Sequence, residues 1–138
     1  MGAGDARRQV RRLTLIAALW MLGFSVGTLT HLVELIAVGV NVYDGAPEPV
    51  RWFWVSLTVV DPVIVALLLT KLRAGVLVGV ATMVADVTVN WLAASAHPAL
   101  AGPGLVTQPA FLLFLLLTAR PLWNSAGATR PRRPRPDS

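Results

Sequence analysis

Six ionisable or amide side chains stand inside the apolar stretches of this 138-residue sequence: His31, Glu34, Asp61, Asp86, Asn90 and Gln108. An imidazole among carboxylates can do three kinds of chemistry. His31, Asp61 and Asp86 are ligand types that suit a divalent transition metal such as zinc, manganese or iron. His31 and Glu34 at i, i+3 are not by themselves a metal motif. Buried carboxylates can also hold a cation or relay protons, as they do in transporters. Finally, His31 paired with Glu34, Asp61 or Asp86 makes a general acid–base couple for an apolar substrate. A purely structural role competes with all three, because polar pairs between membrane helices fix register for about 0.6–2 kcal/mol each.

The elements that must position these groups are four apolar runs. The first, residues 13–40, carries Gly23, Gly27, His31 and Glu34. Residues three or four apart share one face of a helix, so these four form one stripe. An ionisable group costs about 3 kcal/mol or more in lipid and normally faces the bundle interior, so the stripe must look inward. The second run, 52–70, holds Asp61 followed by Pro62 at its centre. Proline cannot bond the carbonyl four residues back, which predicts a kink and a freed Thr58 carbonyl that Thr58 or a neighbouring helix can satisfy. The third run, 74–95, repeats the logic of the first with Gly75, Gly79, Asp86 and Asn90. Its small-residue face is expected to pack against the first helix. The fourth, 105–119, has Gln108 followed by Pro109 near its start.

Composition agrees with a membrane location. The chain is 55% hydrophobic and 14% charged, with mean hydropathy +0.64, and that charged share is well below the quarter or so typical of soluble domains. The expected fold class is all-α: a four-transmembrane-helix antiparallel bundle in a single domain (13–123), between a basic head (1–12) and a disordered basic tail (124–138). The head resembles the start of a signal peptide. The apolar run after it is too long for one, and no small-x-small cleavage site follows, so an uncleaved first helix is expected.

The net charge of +5 is concentrated at the two ends and in the turn at 71–73, with Arg51 the exception. By the positive-inside rule both termini are cytoplasmic (N-in/C-in) in the cell membrane. Length and helix count are similar to the small multidrug exporters, but so strong a charge bias argues against their dual topology. No folded polar surface is left for nucleic acid. The partners expected are the lipid bilayer and, if the narrow bundle transports, a second copy of the chain. Absence of cysteine excludes disulfides, and no haem, iron–sulfur or thiolate metal site is expected.

Helical rise then gives depth. His31, Asp61 and Asp86 fall roughly 13 Å below the outer surface, with Glu34, Asn90 and Gln108 about one turn higher. All six share the extracytoplasmic half. This predicts an acidic pocket with His31, Asp61 and Asp86 at its centre and the other three at its rim. Elsewhere, Gly23/Gly27 and Gly75/Gly79 are read as packing contacts and the tryptophans, including Trp52 and Trp54, as interfacial anchors. Ser56, Thr58, Thr82 and Thr88 are expected to bond back to their own helices.

His31 and Glu34 one turn apart, Asp61 before Pro62 and Gln108 before Pro109 form a pattern similar to the pocket of the sterol-isomerase and sigma-2-receptor membrane family. The likeness covers those residues alone, in a chain shorter than the sterol isomerases. It implies a small helical bundle enclosing a lipid-like amine or sterol beside acidic side chains, and hence an isomerase-like proton transfer. The residues themselves favour binding or transport of a small molecule or cation. The enzyme and a structural or accessory subunit are the alternatives.

Overall fold

The computed structural model describes residues 2–39, 42–43 and 45–128. Among them are four long helices: α1 (Ala3–Val38), α2 (Glu48–Thr70), α3 (Leu72–Ala96) and α4 (Gly104–Ala128), with a 3-10 turn at Pro98–Leu100. All four are long and apolar enough to cross a membrane. Successive helices pack antiparallel, α1 on α2, α2 on α3 and α3 on α4, while α1 and α4 touch much less.

Every helix starts earlier or ends later than hydropathy alone indicates. The basic head is helical from Ala3 because arginine is a good helix former. The end of α1 is set by Gly39, whose φ of 75° is the left-handed value a terminating glycine adopts, its N–H bonding the Leu35 carbonyl. The start of α2 falls at Glu48, not residue 52. Pro47 precedes the first turn and Pro49 lies within it, where no N–H is needed. The Pro–Glu–Pro sequence therefore opens this helix and does not bar it.

Pro62 is accommodated inside a continuous α2. The Thr58 hydroxyl, expected to bond back, is buried without a partner. Ser56 and Thr88 do bond back, to Phe53 and Val84. At the other end of the chain α4 runs through Pro121 to Ala128, so residues 124–128, expected in the tail, are helical. Packing holds this last stretch: Leu122 is buried, and Arg73 donates to the Trp123 carbonyl and lies over its ring. The rest of the expected tail, 129–138 with its four arginines, and Asp44 of the first loop lie outside the described residues.

Lys71 alone joins α2 to α3. The hairpin is so tight that a Cβ on Gly75 would stand 2.6 Å from the Leu68 backbone nitrogen. Gly75 thus packs against α2, correcting the expectation that the glycine face of α3 meets α1. Only Gly79 reaches α1, where it receives the Phe24 ring alongside Ile64 of α2.

The main core lies in the half of the bundle that holds the chain ends: Trp20, Phe24, Ile64, Val76, Leu115 and Leu122 are its most buried members. Trp20 is a core residue, not an interfacial anchor, and its indole donates to the Thr118 hydroxyl at 2.8 Å. Trp54 is likewise buried, with Leu57 and Ala93, in a smaller cluster near the long connections. Trp52, Trp91 and Trp123 are exposed near helix ends, where anchors belong.

Candidate functional site

The half of the bundle near the long connections is hollow. A cavity of about 910 Å³ has its polar end there and reaches back along α1 to Leu19, and all six polar residues singled out in the sequence are on its wall: His31 and Glu34 from α1, Asp61 from α2, Asp86 and Asn90 from α3, Gln108 from α4. The volume is that of a site for a whole small molecule.

Two hydrogen-bonded groups organise the wall. In the first, the Tyr43 hydroxyl donates to Glu34 Oε2 at 2.7 Å and stands 2.9 Å from His31 Nδ1. An ionised carboxylate can only accept, so the single phenolic proton is committed to Glu34. His31 Nδ1–H must then donate to Tyr43 Oη, leaving Nε2 as the acceptor of the neutral ring. His31 Nδ1 and Glu34 Oε2 are 3.7 Å apart. Burial, followed by the hydrogen bond to Glu34 and its charge, pushes the Tyr43 hydroxyl pKa well above the ordinary tyrosine value. In the second group, the Asn90 amide donates to Asp86 Oδ1 at 3.1 Å and also to Gln108 Oε1, tying α3 to α4.

Asp61 belongs to neither group. It is 6% exposed and accepts no hydrogen bond among the described residues. Gly27 makes its position available, since a Cβ there would lie 2.5 Å from Asp61 Oδ2. Gly23 serves Phe111 of α4 in the same way, its missing side chain leaving the space the ring fills. Gly23 and Gly27 are therefore seats for side chains and not a surface for backbone-to-backbone packing. Among the described residues no Lys or Arg lines the cavity, against three carboxylates and one histidine. Among the described residues no three His, Asp or Glu side chains converge closely enough to hold a metal ion.

Sequence reasoning missed Tyr43. It is the sole tyrosine of the chain, and it lies in the connection just beyond the helix end that carries His31 and Glu34. An aromatic hydroxyl so placed can fold back over two polar groups one turn apart, and that was the available signal. Trp54 was also missed as a wall residue: it packs on Tyr43 with ring centroids 4.9 Å apart and lines the cavity.

Compared with known protein families, curated proteins and solved structures, the chain matches none. The likeness of His31, Glu34 and Asp61 to the sterol-isomerase pocket therefore rests on those residues alone.

Proposed function

We propose that this is a multi-pass cell-membrane protein, both termini cytoplasmic, whose acidic pocket binds or transports a small organic cation. The observation that carries the reading is the charge of the wall: among the described residues Glu34, Asp61 and Asp86 stand against a single histidine and no Lys or Arg. Buried charge of one sign calls for a counter-charge, and Asp61, with no hydrogen bond among the described residues, is the group left to meet it. The absence of converging metal ligands among the described residues, together with the cavity's size, favours a molecule over a bare metal ion. The basic residues at the chain ends and at 71–73 support the orientation.

The test is the thermal midpoint of the protein in lipid nanodiscs with a series of organic ammonium ions, wild type beside Asp61→Asn. A ligand at 100 times its Kd adds about 2.7 kcal/mol. A midpoint that rises in wild type and not in the variant supports the reading; no response to any ammonium ion overturns it.

A second reading is proton transfer on a lipid-soluble substrate, and the Tyr43 bridge favours it by setting His31 Nε2 as a free base. It predicts that His31→Gln abolishes turnover while ligand binding survives.

A further inference from the structure

The cavity is not polar throughout. On α1 its wall runs from Leu19 to Glu34, roughly 22 Å at helical rise. The polar groups occupy the end near the connections, and the other end is lined by Leu19, Leu22, Phe111 and Phe114. Leu19, Leu22 and Val26 line the cavity and are half or more exposed. Wall residues this accessible border an opening of the cavity. That edge is the seam between α1 and α4, the neighbouring helices that touch least. Across the seam the Phe111 ring lies in the space at Gly23 and against Phe24 edge-on, with centroids 5.5 Å apart, and it stacks on Phe114. A ring held by a glycine notch and other rings, with no hydrogen bond, can swing aside without breaking a polar contact.

We propose that the cavity is loaded sideways from the bilayer through the α1–α4 seam, with Phe111 as its leaf, and that the ligand is an amphiphile. Its ammonium head meets Asp61 at the polar end and its apolar chain fills the arm beside Leu22 and Phe114. The proposal rests on the cation-binding reading above and adds the chain and the route. An ion entering from water has no use for an apolar arm of this length or for a mouth bordered by leucine and valine.

The probe is radiolabelled dodecylamine, and the protein is held in nanodiscs. The chain has no cysteine, so Leu22→Cys with Phe114→Cys can be joined specifically by a disulfide-containing bismaleimide in detergent and then reconstituted. We expect association to slow at least about tenfold when the seam is tied and to recover when the linker is reduced. Equal rates in the tied and reduced forms overturn the route. Phe111→Ala gives an independent check, because removing the leaf should speed association several-fold; an unchanged or slower rate counts against Phe111. Failure of the underlying reading looks different: wild type then shows no dodecylamine binding that Asp61→Asn removes.

Discussion

The same four helices build two unlike halves. Near the chain ends Trp20, Phe24, Ile64, Leu115 and Leu122 are almost completely shielded and close on one another. Near the long connections the helices stand around a cavity, with a small cluster of Trp54, Leu57 and Ala93 to one side. Residue size and polarity separate the two halves. In the first half each helix supplies apolar side chains to the axis: Trp20 and Phe24 from α1, Ile64 and Leu68 from α2, Val76 from α3, Leu115 and Leu122 from α4. In the second, α1 offers Gly27, His31 and Glu34, and α4 offers Gly104 and Gln108. One half is filled by the core, and the other is left open around its polar wall.

That division can be broken experimentally. The largest effect is expected in the packed half. Trp20→Ala removes a fully buried ring and its bond to Thr118, and should cost about 3 kcal/mol or more, read as unfolding free energy in bicelles. In the hollow half, Asp61→Asn should leave stability near wild type while ammonium affinity falls about 100-fold, or roughly 2.7 kcal/mol. Gly27→Ala sharpens this point. Its methyl group must displace the Asp61 carboxylate, so affinity should drop about tenfold by titration although no charge is removed.

Smaller effects concern the bridge over the site. Tyr43→Phe deletes the hydroxyl between His31 and Glu34 and should cost about 1 kcal/mol. It also releases the His31 tautomer, visible as altered imidazole ¹⁵N shifts. Because the chain has one tyrosine, its ultraviolet absorbance titrates Tyr43 alone. The phenol should ionise only well above the usual tyrosine range, and Glu34→Gln should move it back toward that range. The sign follows from the raised value: the stabilisation is present in full below the ordinary tyrosine pKa and is lost as pH climbs through the folded one.

The spans and the six wall residues were legible because membrane helices announce themselves by apolar length, and polar residues within them by their cost. Helix ends were less legible, since hydropathy marks where lipid stops and not where hydrogen bonding stops. Arg7 to Arg12 are helical through the propensity of arginine, and Glu48 to Arg51 because Pro47 and Pro49 stand where a helix can begin. Partner choice was not legible. Gly23, Gly27 and Gly75 read alike as small residues, yet they receive a ring, a carboxylate and a backbone turn. Tyr43 escaped notice because its contact is made by a loop folding back, and no periodicity encodes that.

The central claim is that binding and bundle stability reside in different halves. The most direct test measures ammonium binding and unfolding free energy together in Asp61→Asn and Leu115→Ala. Asp61→Asn should lose binding and keep stability, whereas Leu115→Ala, whose side chain is fully buried, should lose stability and keep its affinity while folded. Retained binding in Asp61→Asn, or both losses appearing together in both variants, would contradict that claim.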